Sequence, residues 1–113
     1  MKYKESKEKI QSKLNKWRET YLNLSKDFEV ELIEKDYRYI KILVKFNEKV
    51  LVHTACHIAH IESLTDHIVI DLKGMIKFKI IEAGKRKLGI EYNNYDEHMM
   101  KLGCEVLEEK NDK

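Results

Sequence analysis

The chain has 113 residues, 42% of them hydrophobic and 37% charged, with a formal net charge of +2. That length fits one domain spanning residues 1–113 and allows one modest core without disulfide or metal support. The composition excludes a membrane-spanning protein, since nothing approaches the roughly 18 consecutive apolar residues a helix needs to cross a bilayer, and the near-neutral charge excludes a global electrostatic drive toward nucleic acid.

Charge is uneven along the chain. Residues 1–26 hold eight Lys/Arg against three Glu, and residues 104–113 hold four acids against two lysines. The opening, MKYKESKEKI, has no apolar core behind its lysines, so it does not read as a secretory signal. Cys56 and Cys104 are too few for a disulfide framework and read as free thiols in a reducing, cytoplasmic compartment.

The first predicted element is an amphipathic helix over residues 1–26. Ile10, Leu14, Trp17, Tyr21 and Leu24 follow steps of four and three, with Tyr3 ahead of them and lysines filling the other faces. Such a stripe can pack on the chain's own sheet or form a homodimer as a short coiled coil. After Asp27 the period changes to two. Phe28, Val30 and Leu32 alternate with Glu29 and Glu31. Following a turn at Lys35-Asp36, Ile40, Ile42, Val44 and Phe46 form the next strand. A turn at Asn47-Glu48 leads into Val50, Val52, Thr54, Cys56 and Ile58.

Residues 53–64 fit two readings. A strand puts β-branched residues at alternate positions; a helix capped by Thr54 buries Ala55, Ile58 and Ala59. The strand is the favoured reading. Further strands are expected over Ile68–Leu72, Ile76–Ile80 and Leu88–Tyr92, with a turn at Gly74 and an exposed basic loop at residues 83–87. Asn94 and Glu97 resemble a capping box. The short helix behind them turns Tyr95, Met99 and Leu102 inward and stops at Gly103, and Cys104–Leu107 add a last short strand before a frayed tail over residues 108–113. The expected fold class is therefore α+β and β-rich. A long N-terminal helix precedes a six- to seven-stranded antiparallel, barrel-like sheet domain over residues 28–107, which includes a short C-terminal helix. If residues 53–64 are helical, the order becomes αββαβββα, which suits profilin-like or roadblock-like modules.

From Tyr37 onward the sequence resembles the PilZ domain, a small β-barrel family that often senses cyclic di-GMP. KLGIEYNNYDEHMMKL (87–102) is similar to the family's closing strand, turn and helix. YRYIKILVKF (37–46) resembles its opening, and AHIESLTDHIVIDLKG (59–74) its middle. On this alignment Tyr37 and Lys41, with Arg38 adjacent, stand where the family grips phosphate and guanine with two arginines. Glu62, Leu64 and His67 stand where it has an acidic or amide residue, a serine and a glycine. A lysine cannot make the planar arginine fork, and His67 brings a Cβ where close backbone approach wants glycine. The resemblance thus implies the fold, cyclic di-GMP as the one ligand to consider, and a signalling adaptor that acts by protein–protein interaction.

Three chemistries remain to be weighed. His53, Cys56, His57 and His60 share one face if they lie on a helix and could then hold zinc; on a strand they divide between two faces. The lysine-rich first helix, Lys85-Arg86-Lys87 and the rings of Tyr37, Tyr39 and Tyr92 suit a nucleic-acid-binding small barrel. No nucleophile signature surrounds either cysteine and the glycines are scattered singly, so neither an enzyme nor a cofactor is expected.

Overall fold

The computed structural model describes residues 3–88 and 97–109. The element order is helix α1 (Lys4–Tyr21), strands β1 (Glu29–Glu34), β2 (Tyr39–Phe46) and β3 (Lys49–His57), then helices α2 (Ile58–Ser63), α3 (Thr65–Leu88) and α4 (Glu97–Glu108). The strands form an open antiparallel meander in the order β1-β2-β3. This overturns the six- to seven-stranded barrel that both the strand count and the PilZ resemblance implied. The αββαβββα alternative fails as well.

The first half follows the sequence pattern. Val30, Leu32, Ile40, Ile42, Val44 and Phe46 are buried on one face of the sheet. That alternation is what a half-buried strand requires. The β1–β2 turn is held by Asp36, whose Oδ1 accepts the backbone N–H groups of Arg38 (2.7 Å) and Tyr39 (3.1 Å). The β2–β3 turn has both central residues at positive φ, 55° at Asn47 and 69° at Glu48. Such geometry matches the twist of a two-residue hairpin. A register shift between Val44 and Lys45 lets Leu51 bulge from β3.

Helix α1 spends its stripe on the chain's own core. Ile10, Leu14, Trp17 and Leu24 are buried there, and Tyr21 alone stands out, 75% exposed. Four of the five residues through which a homodimer was expected are thus covered within the chain. Polar residues of α1 also cover the start of the free edge of β1. Asn15 bonds both the N–H (2.7 Å) and the carbonyl (3.1 Å) of Phe28, and Gln11 Oε1 accepts the N–H of Val30 (2.9 Å). The α1–β1 loop is tied by the buried Arg18, which donates to the Leu24 carbonyl and to Asp27 Oδ1, both at 2.6 Å.

The second half departs from expectation. Residues 53–64 are strand only to His57, and α2 follows, with His57 Nδ1 accepting the Ala59 N–H at 3.1 Å as its cap. The two expected strands Ile68–Leu72 and Ile76–Ile80, with their turn at Gly74, are instead one continuous helix, α3. Leu72, Ile76 and Ile80, spaced by four, are fully buried, with Ile61, Ile68 and Val69 beside them. The stripe faces α1 and the inner face of the sheet. Burial of that face outweighs the strand preference of its many β-branched residues.

Leu88 ends α3, and the rest of the expected strand Leu88–Tyr92, with Asn94 and Tyr95, lies outside the described residues. Gly103 does not stop a helix, and Cys104–Leu107 are not a strand; both belong to α4. Gly103 is there for closeness: a Cβ on it would overlap the Ile80 carbonyl, and one on Gly84 would sit 2.8 Å from the Met99 carbonyl oxygen. These two glycines seat α4 directly on the backbone of α3. Among the described residues no helix is long and apolar enough to cross a membrane.

Candidate functional site

The residues aligned with the PilZ ligand motifs do not converge. Tyr37 and Arg38 sit in the β1–β2 loop, where the guanidinium lies 5.0 Å from the centre of the largely exposed Tyr37 ring. Lys41 is on the outer face of β2, opposite Ala55 and Ile33. Glu62 is exposed on α2 and His67 on α3. The Ile58 N–H donates to the Arg38 carbonyl at 2.7 Å, which joins this loop to the start of α2. Within that set the Arg38 guanidinium and the Tyr37 ring are in contact.

The histidine–cysteine cluster is divided by the strand. His53 and His57 pair with Leu43 and Tyr39 on the outer face, whereas Cys56 pairs with Ile40 on the inner face. His60 rejoins His57 through α2, with ring centres 5.7 Å apart, and the Tyr39 ring meets His57 edge-on at 5.8 Å. His57 already uses Nδ1 to cap α2. Among the described residues no group of three potential ligands is arranged to hold a metal ion. Burial pushes the thiols of Cys56 and Cys104 above their ordinary range, the opposite of what a nucleophile needs.

A different surface carries the unexplained features. α3 has two apolar stripes, not one. Besides the buried set, Ile70, Met75 and Phe78 stand out at 62%, 37% and 53% exposure, and across from them Val50 of β3 is 50% exposed. Between α3 and β3 runs a groove of about 680 Å³, bordered by Val50–His53 on one side and by Ile70, Gly74, Met75 and Phe78 on the other. Asp71 and Lys79 stand at its two ends along the helix. Gly74 lies in the middle, and a Cβ built on it meets nothing within 4 Å.

The groove is bounded by an open sheet edge. Strand partners alternate between facing the neighbour and facing away. The Ile58-to-Arg38 bond sets that phase, so Ile40, Ile42 and Val44 of β2 bond across to β3. His53 and Ala55 therefore turn their backbone N–H and C=O groups outward, and among the described residues nothing bonds them. The two edges are built differently. β1, EVELIE, carries three glutamates and is covered at its start by Asn15 and Gln11. β3 carries no acid from Lys49 to His57, no proline, and a single lysine at its start. Natural sheets guard free edges with charges, proline or cover; β3 has the Leu51 bulge and Lys49 and nothing more.

A larger cleft, about 810 Å³, adjoins this groove near the Asn47-Glu48 turn and the ends of α3 and α4. Its lining mixes Glu48, Lys49, Arg86, Lys87 and Glu109. Arg86 reaches Glu82 at 3.2 Å and Lys87 reaches Glu109 at 3.9 Å. Two of its three cations are thus already paired, and the contiguous exposed apolar residues lie in the other groove, which is the candidate site.

The sequence reading missed this surface because it spent Ile70 and Phe78 on strands. The signal that locates it is the second spacing of four, Ile70–Gly74–Phe78, running beside Leu72–Ile76–Ile80. Comparison with protein-family models, with curated proteins and with solved structures found no match to this chain.

Proposed function

We propose that this chain is a small, non-enzymatic protein-binding module, and that it binds an extended or helical apolar segment in the groove between β3 and α3. The observation that carries this reading is the contiguous exposure of Val50, Ile70, Met75 and Phe78 beside an unbonded strand edge. Single exposed apolar residues are ordinary on a protein surface, but a contiguous set marks an interface. A free edge supplies main-chain hydrogen bonds to an added strand, and the neighbouring groove takes its alternate side chains.

The test is a selection of displayed random peptides on the full chain. Enriched sequences are expected to share alternating apolar positions and to bind the Phe78→Asp variant at least about tenfold more weakly. Enrichment of the same peptides on Phe78→Asp, or no enrichment on a chain that is monomeric under the selection conditions, refutes the reading.

A second reading, binding of single-stranded nucleic acid, is favoured by one cluster. Tyr37 is 80% exposed under the Arg38 guanidinium, Tyr39 is half exposed, and His57 and Lys41 stand near on the outer sheet face. Rings and cations of this kind stack bases and follow a phosphate backbone. It requires an affinity for a labelled oligonucleotide that falls steeply with salt and is lost in Arg38→Ala; absence of binding at low salt removes it.

A further inference from the structure

We propose that the occupant of the groove is a second copy of this chain, bound about a two-fold axis so that β3 pairs antiparallel with β3 and α3 lies antiparallel against α3. This rests on the protein-binding reading above and names its partner.

Three independent features fit a copy of the same surface. The first is the contrast between the edges: β1 is covered at its start by Asn15 and Gln11 of α1 and lined with glutamates, whereas β3 offers outward backbone groups at His53 and Ala55 with no carboxylate along the strand. Two such edges can meet with no acid opposite another acid. The second is charge along the helix. Asp71 lies on the N-terminal side of Gly74 and Lys79 on the C-terminal side, and both border the groove. Asp71 has no ion-pair partner among the described residues, and Lys79 reaches Glu82 only at 4.0 Å. An antiparallel copy brings Asp71 of each chain to Lys79 of the other, and Ile70 to Phe78, twice over. A parallel arrangement sets like charges side by side. Self-complementarity of this kind is what a two-fold interface demands.

The third feature is Gly74. In the interior of a helix glycine costs stability relative to alanine, and no neighbour in this chain requires the space, since a Cβ there meets nothing within 4 Å. At the centre of the stripe it lets the backbone of a second helix approach closely. Its own fold gives the chain no reason to keep a glycine at that position; a close-packed copy does.

Sedimentation equilibrium of the full chain from about 1 µM to about 500 µM tests this. A monomer–dimer equilibrium is expected, with Phe78→Asp weakening it at least about tenfold. Gly74→Ala is expected to weaken it too while folding at least as well as the parent. Asp71→Lys is expected to weaken dimerisation, and Asp71→Lys combined with Lys79→Asp to restore it. A chain that stays monomeric throughout, or a dimer indifferent to Gly74→Ala and Asp71→Lys, overturns the proposal. If the monomer still enriches peptides that Phe78→Asp does not bind, only the second copy is wrong and the protein-binding reading stands. If the monomer enriches none, both fall.

Discussion

Replacing each of three glycines by alanine, one at a time, tests the architecture at its most informative point, because the same added methyl group is expected to have opposite effects. Gly74 is exposed in the middle of α3 with open space where a Cβ would go. Alanine there gains helix propensity and loses nothing, about 0.5–1 kcal/mol of stabilisation. At roughly 4 °C per kcal/mol for a domain of this size, the melting temperature rises by about 2–4 °C. Gly103 is the reverse: its Cβ would overlap the backbone carbonyl of Ile80, which cannot rotate aside as a side chain can. α4 must then lift from α3, and the overpacking cost of about 1–3 kcal/mol is expected at its upper end, or roughly 10 °C. Gly84, whose Cβ would lie 2.8 Å from the Met99 carbonyl oxygen, falls between. Urea unfolding followed by far-ultraviolet circular dichroism reads all three. The Phe78→Asp background keeps self-association out of the measurement. A destabilising Gly74→Ala would mean that residue 74 sits in a turn and α3 is not continuous. A harmless Gly103→Ala would mean that α4 does not rest on the Ile80 carbonyl.

Other outcomes follow from single contacts. Arg18→Met removes two 2.6 Å bonds and leaves the Leu24 carbonyl without its donor; a loss of about 2 kcal/mol is expected in urea unfolding, and an unchanged midpoint refutes the clamp. Glu48 holds φ at 69°, where a side chain costs roughly 1–2 kcal/mol, so Glu48→Gly is expected to raise the melting temperature by about 4 °C, and a fall refutes the strained turn. Burial raises both thiols and so lowers their thiolate fraction. A thiol reagent at neutral pH is expected to label the half-buried Cys56 slowly and Cys104 only after denaturant is added. Equal rapid labelling in the native state contradicts the packing of α4.

Where each segment touches a single layer, its elements were readable from the chain. The stripe of α1, the turn residues Asp36 and Asn47, and the alternation through Phe46 each answer to one buried face, so the sequence period reports it directly. α3 has two faces with apolar residues. Ile68, Ile70, Leu72, Ile76, Phe78 and Ile80 are all apolar at even positions, and the sum of a buried stripe and an exposed one imitates a strand. The misreading and the candidate site therefore have the same cause. The barrel implied by the PilZ resemblance needed strands in this stretch and falls with them. The clamp of Arg18 and the seals of Asn15 and Gln11 leave no periodic trace, because each depends on which backbone atom a distant fold brings near. Gly103 looked like a helix terminator for the same reason: the partner that demands it, Ile80, is far off in the chain.

The unequal edges of the sheet bear on what kind of assembly can form. Asn15 occupies the N–H and carbonyl of Phe28 and Gln11 the N–H of Val30, groups that an incoming strand would need there, and the glutamates of β1 would face those of a second β1. In the language of polymer chemistry, each chain then approaches a monofunctional unit, with one reactive edge and one that is part covered and repels its own copy. Joining two of them through β3 consumes the acid-free edges, so growth beyond the pair has only the acidic, part-covered β1 edge to use and is disfavoured there. Opening the β1 edge, by Asn15→Ala with Gln11→Ala, would make the unit bifunctional and turn a self-limiting association into an open-ended one.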